Sequence, residues 1–221
     1  MISNEPILIT GCARSGTSLI AGIINKCGAW GGNMRGQSRW NPKGQFENEE
    51  IRHSIVKPYI KSMGFDPMCQ KPLPEIDKLK PFDIRSKVLD AFVRQGYPGG
   101  RWMYKGPKMC LIWPIWREAF PGAKWIIVRR KTEDIVDSCM RTSFMRKHKN
   151  PDGWGEWIAE HEKRFKEMQD AEMDVREVWP IKAIQGDFTE VKEMILDCGL
   201  QWNEKAVKEF VSPELYHGKR G

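Results

Sequence analysis

The sequence predicts an α/β fold: a single domain over residues 1–221, with a central parallel β-sheet flanked by helices. Three observations predict it. A short apolar run, Ile7-Leu8-Ile9, passes through a glycine-bearing loop into Leu19, Ile20, Ile23, Ile24 and Cys27, which recur at helical spacing. A second unit of the same kind, Lys124-Trp125-Ile126-Ile127-Val128, leads through Arg129-Arg130 into a helix carrying Ile135, Val136, Cys139 and Met140. A chain of 221 residues, 40% hydrophobic and 29% charged, is enough for one full core and is a globular composition.

The loop after the first strand reads Gly11-Cys12-Ala13-Arg14-Ser15-Gly16-Thr17-Ser18. Glycines at both ends let the backbone turn tightly. Successive N–H groups then converge at the positive end of the helix, which predicts a bound phosphate-like group. A triphosphatase loop carries lysine directly after its second glycine. Here Thr17 follows Gly16, and the cation comes earlier, as Arg14. Arginine with the hydroxyls of Ser15, Thr17 and Ser18 suits a singly bridged phosphate or sulfate better than a triphosphate and its magnesium.

Gly28 to Asn33 breaks the first helix, and an irregular segment from Met34 to Phe46 follows. The stretch Asn41-Pro42-Lys43-Gly44-Gln45-Phe46-Glu47-Asn48-Glu49-Glu50 then enters a helix holding Ile51, Ile55 and Val56. Glu47, Glu49, Glu50 and His53 form the only cluster of potential proton acceptors near the loop in sequence; the helix macrodipole alone could explain Glu49 and Glu50. Residues 63–81 are punctuated by prolines and read as a surface excursion, followed by a helix over 84–95. A turn at Gly96 to Gly100 starts a short strand, Arg101 to Tyr104, that ends at Lys105-Gly106-Pro107-Lys108. Lys105 therefore stands at the rim where ligands bind in open α/β sheets.

The strand Lys124 to Val128 ends in two arginines, where a magnesium-dependent hydrolase would place an aspartate, so it attracts an anion. Thr132 is expected to cap the next helix, whose positive end Glu133 and Asp134 already occupy; the anion is then gripped by Arg130 and Ser138. Trp154, Trp157, Ile158, His161, Phe165 and Met168 share one face of a long helix and read as core. Trp179 to Ile184 offers a last strand, Gly186-Asp187-Phe188 turns into a helix through Leu196, and Glu204 to Val211 forms a final short helix.

A formal charge of +7 with a pI near 9.1 favours anionic ligands. The positive charges are interspersed with acidic residues and form no long arm, so a small anion explains them without nucleic acid. The six cysteines have no metal-ligand spacing, which points to reduced thiols, no metal site and a cytoplasmic protein. No secretory signal pattern or membrane-length apolar run is present.

On these motifs the chain resembles the sulfotransferases that use 3′-phosphoadenosine 5′-phosphosulfate, in particular their bacterial-type branch. Residues 7–24 are similar to the family's 5′-phosphosulfate loop, with Arg14, Ser15, Gly16, Thr17 and Ser18 in its places. Residues 124–140 are similar to its 3′-phosphate site, with Arg130 at the strand end and Ser138 on the helix. Lys105-Gly106-Pro107 looks like its Lys-x-His or Lys-x-Pro element. Asn41 to Glu47 looks like a segment ending in a glutamate, and Phe210 to Leu215 with the basic tail looks like its closing stretch.

The resemblance implies a P-loop NTPase-like sulfotransferase fold. It also implies the phosphosulfate as donor, adenosine 3′,5′-bisphosphate as product, no metal, and transfer to a hydroxyl or amine of a small-molecule or glycan acceptor. Arg14 and Lys105 would offset the developing charge. Glu47 is the first choice of base and His53 the second, because Pro107 stands where the cytosolic animal enzymes have a histidine. Segments 28–50 and 63–81 would shape the acceptor pocket, and a sugar, lipid head group or small alcohol all remain open. Two rival readings are a P-loop kinase of small molecules and a non-enzymatic nucleotide- or nucleic-acid-binding module.

Overall fold

Strand side chains alternate between faces, and here both faces are apolar, as parallel strands covered by helices on two sides require. The computed structural model describes Ile2, residues 5–212 and Glu214. In it β1 (Ile7–Thr10), β2 (Met103–Lys105), β3 (Lys124–Val128) and β4 (Val175–Val178) form a four-stranded, all-parallel sheet in the order β2-β1-β3-β4. Leu8, Tyr104, Trp125 and Ile127 point into one core. Ile7, Ile9, Met103, Ile126, Val128 and Val178 point into the other.

The first core is closed by a π-helical segment, Ile51–Val56, running into α2 (Lys57–Ser62), and by α3 (Ile84–Arg94), α4 (Trp113–Ala119), α5 (Thr132–Arg141) and α6 (Pro151–Asp170). The second is closed by α1 (Thr17–Lys26), α7 (Pro180–Ile184), α8 (Thr189–Asp197) and α9 (Glu204–Phe210). Trp102, Trp116, Trp125 and Trp154 are fully buried in the first core. Each contributes on the order of 3 kcal/mol through apolar burial. Because β1 lies between β2 and β3, the chain leaves it towards one side of the sheet and later returns on the other. The carboxyl ends of β1 and β3 therefore flank the crevice that such a reversal opens.

Three local expectations are corrected. The last strand is Val175–Val178, while Trp179 to Ile184, read as that strand, turns into α7 with Pro180 in its first turn. Proline lacks the N–H that a ladder needs and has a backbone angle suited to a helix start. Thr132 is the first residue of α5, with Lys131 ahead of it and no side-chain cap. The strand expected over Arg101 to Tyr104 spans Met103–Lys105, so Lys105 is itself a strand residue. Of the closing stretch, Pro213, Leu215 and the basic tail lie outside the described residues.

Candidate active site

The first loop is shaped by what it cannot accommodate. A Cβ on Gly11 would meet the Val128 carbonyl at 2.6 Å and Ser15 Oγ at 2.8 Å, so only glycine lets β1 turn this close to β3. Gly16 has φ 99° and a Cβ there would press on Pro180, so the loop lies against α7. No acidic residue occupies the first turn of α1, so its amides keep their positive end for a ligand. Arg14 also has positive φ, 76°, a conformation that costs a non-glycine residue about 1–3 kcal/mol. Two bonds hold it there: Arg130 donates to its carbonyl at 2.9 Å, and its own Nε donates to Ser138 Oγ at 3.0 Å.

Those bonds join the two motifs that lie more than a hundred residues apart. Arg130, at the end of β3, also approaches Asp134 at 3.7 Å, and Arg141 lies one helical turn beyond Ser138 on α5. Burial first, then the Arg130 and Arg141 charges, lower the proton affinity of the Arg14 guanidinium. Arg14, Arg130 and Arg141 thus line the same cavity with Ser138, an arrangement that an anion stabilises. Ser15 Oγ is buried without a hydrogen-bond partner. Such an orphan costs about 1–3 kcal/mol unless a ligand satisfies it. Orphaned hydroxyl, glycine walls and free helix amides together fit a phosphate or sulfate. Ser18, by contrast, donates to the Gln45 carbonyl at 3.2 Å and ties α1 to the loop before Glu47.

Lys105 is buried at the end of β2, level with Ile9 in β1. Its Nζ donates to Glu47 Oε1 at 2.8 Å, and Arg52 Nε lies 2.6 Å from Glu47 Oε2. Glu47 reaches this point because the irregular segment folds back on itself. Arg35 donates its N–H to the Glu47 carbonyl, Met34 pairs with Asn48, and buried Asn48 anchors the returning arm to the Gly31 carbonyl. Burial raises the Glu47 pKa, but the charges of Lys105, Lys108 and Arg52 outweigh it and pull the carboxyl down to about 2. For Lys105 burial prevails over its one carboxylate, and the ammonium holds its proton less tightly than usual.

Loop, arginine cluster and ion pair line one cavity of about 610 Å³, a volume typical of ligand sites. Its other walls come from Arg39 to Gln45, from Met68-Cys69-Gln70, from Phe144 and Met145, and from Trp157 and His161 of α6. Trp40 meets the edge of Phe144 at 6.4 Å, linking the first of these segments to the third. His161, expected in the core, is buried but also faces this cavity. Its Nδ1 donates to the Trp157 carbonyl at 2.8 Å, and burial lowers its pKa to about 4, so the ring is neutral.

Arg14, Ser15, Gly16, Thr17, Ser18, Glu47, Lys105, Arg130 and Ser138 all line this space. His53 does not: the face carrying Ile51 and Ile55 is buried in the core, and the exposed His53 ring turns outward to Arg52 and Glu49. Sequence reading missed Arg52, Lys108, Arg141 and Trp179, which the cavity includes. Only Arg141 carried a signal, three residues after Ser138 and so on the same helix face. Among the described residues no group of three or more histidine, cysteine, aspartate or glutamate side chains is arranged to hold a metal ion. All six cysteines are free and buried, and no helix of the described residues is long and apolar enough to cross a membrane.

Comparison with known proteins adds to this geometry. Residues 6–192 match the model of the Sulfotransferase family. No curated protein matches. Among solved structures, the sulfotransferase STF1 from Mycobacterium tuberculosis H37Rv (type1 form) superposes with a TM-score of 0.49 at 12% sequence identity, covering 96% of this chain and 72% of that one.

Proposed function

The chain belongs to the sulfotransferase family; from that premise we propose that it transfers a sulfuryl group from 3′-phosphoadenosine 5′-phosphosulfate to a hydroxyl or amine of a small acceptor. One observation carries the reading. The glycine-walled loop with its partnerless Ser15 hydroxyl and the Arg130–Ser138 cluster clasp each other through Arg14 and open on one cavity. A single ligand with an anionic group at each end of a nucleoside would satisfy both.

The loop amides, Ser15 and Thr17 would hold the 5′ end of the nucleotide, and Arg130, Ser138 and Arg141 its 3′-phosphate. Trp179, 36% exposed beside Pro180, offers a flat face to the adenine. When bound, the donor supplies an activated sulfuryl group on a phosphate leaving group. Arg14, Lys105 and the α1 amides offset the charge that builds on the leaving oxygen. Glu47 takes the acceptor's proton as the acceptor oxygen bonds to sulfur. Held by Lys105 and Arg52 it is a weak base. Negative charge growing nearby draws the Lys105 ammonium off it, and its proton affinity then rises at the moment it is needed.

Thermal-shift titration tests the assignment. Adenosine 3′,5′-bisphosphate should raise the melting temperature at concentrations where ATP with magnesium does not, and the phosphosulfate should then label an acceptor. Magnesium-dependent ATP hydrolysis without a bisphosphate shift would overturn the reading in favour of a kinase.

A further inference from the structure

The cavity holds more positive charge than the donor accounts for. Among the described residues its lining carries ten arginine and lysine side chains against two carboxylates, Glu47 and Asp134, and both of these are already shared with cations. Arg14, Arg130 and Arg141 cluster at the loop, and Lys105 and Arg52 are held by Glu47. Lys108 differs from all of these. It is half-buried in the cavity wall three residues past Lys105, and its side chain makes no hydrogen bond or ion pair with any described residue. Its charge acts on both the Glu47 carboxyl and the Cys69 thiol, and all three line the same cavity. At Lys57 burial first, then Arg52 and Lys108, outweigh Glu47 and lower the pKa to about 8.

The surface beyond Lys108 is of the opposite kind. Met68, Phe144, Met145 and Trp157 present apolar side chains to the cavity. Nothing on this wall repels an anion: the lining has no carboxylate there, and the one titratable ring, His161, is neutral. A neutral acceptor would leave Lys108 half-desolvated and unpaired, whereas an anionic one would form a charge-assisted bond. We propose that the acceptor is itself an anion, whose carboxylate, phosphate or sulfate pairs with Lys108 while its apolar body lies against Met68, Phe144, Met145 and Trp157. This rests on the sulfotransferase reading and names the substrate class that the acceptor half of the site takes.

The test uses sets of equal shape and different charge: 4-hydroxyphenylacetate, its neutral amide and tyramine, with matching acid, amide and amine sets built on cyclohexanol and hexose frames. Binding is measured by calorimetry on the full chain, with and without adenosine 3′,5′-bisphosphate, and turnover is measured with the phosphosulfate. In at least one frame the acid should bind about tenfold or more tighter than the amide, the worth of one charge-assisted bond. The Lys108→Gln variant should abolish that preference by raising KM for the acid far more than for the amide, with no change in bisphosphate affinity. Equal binding of the three charge types, preference for the amide or amine, no binding in any frame, or a preference that survives Lys108→Gln would each overturn the proposal. Failure of the donor assignment looks different: the bisphosphate itself then does not bind, while the charge preference can still be read on the unliganded protein.

Discussion

The two halves of the cavity are built by different means. The donor half consists of strand ends and a helix start: Gly11 and Gly16 shape the backbone, the α1 amides face a ligand, and Arg130 leaves β3 at a position fixed by the sheet. The acceptor half consists of side chains on irregular segments, 34–48, 66–72 and 142–148, fastened by scattered polar contacts. Gln70, for example, donates to the Phe144 carbonyl at 2.7 Å and accepts from the Arg146 N–H at 2.8 Å. Chemistry that relies on backbone geometry leaves few choices of sequence. A side-chain surface can be rebuilt without disturbing the sheet, so it is free to set specificity.

Lys105 and Glu47 sit where the halves meet, so substitutions there give the largest effects. Lys105→Met should lower kcat by about 10²–10³, the usual cost of removing one stabiliser of transition-state charge. Because it leaves Glu47 buried with Arg52 alone, it should also destabilise the fold by about 3 kcal/mol or more in chemical denaturation. Glu47→Gln should lower kcat by about 10² with little change in bisphosphate affinity. A Glu47→Gln enzyme with full activity would remove it as the base.

Acid conditions should weaken the acceptor half first. The folded-state pKa of His161 is lowered from 6.5 to about 4, so the native fold prefers the neutral ring. Its contribution is complete above pH 6.5 and is lost as pH falls towards 4, amounting to at most about 3 kcal/mol. Glu47, lowered from 4.5 to about 2, adds the same sign of effect only below pH 4.5. Denaturation at pH 7 and pH 4.5 should show His161→Phe losing much less stability than the parent between those values. Parallel losses would mean the ring is not held neutral.

The smallest effects separate the halves most clearly. Ser15→Ala removes a buried hydroxyl with no partner, so unliganded stability should hold or rise slightly while bisphosphate affinity falls about tenfold. Phe144→Ala should instead raise the acceptor KM several-fold and leave the bisphosphate alone. If either variant moved both affinities equally, the division into halves would be wrong.

Legibility in the sequence follows the same division. The loop, the β3 arginines and Lys105 could be read because each sits at a fixed place in a strand-turn-helix unit. β4 escaped because Val-Arg-Glu-Val at the sheet edge is half charged, its Arg176 paired with Glu193 and Asp197 on α8, while the apolar stretch after it opens on a proline. Glu47 is singled out among the neighbouring acids only through a matched segment, since the fold-back that delivers it depends on Asn48 and on backbone bonds that no periodicity announces. Lys108 and Met68 to Gln70 carry no spacing signal at all. Lys108 reaches the cavity from the turn after β2, and Met68 to Gln70 reach it because Gln70 is tied to the Phe144 carbonyl and the Arg146 N–H.

The direct test of the central claim compares adenosine 3′,5′-bisphosphate with adenosine 5′-monophosphate, binding each to the parent chain and to Arg130→Ala. If one nucleotide is gripped at both ends, the bisphosphate binds the parent at least tenfold more tightly than the monophosphate, and that ratio collapses towards one in Arg130→Ala. A parent chain that does not distinguish the two nucleotides, or a ratio that survives loss of Arg130, would contradict it.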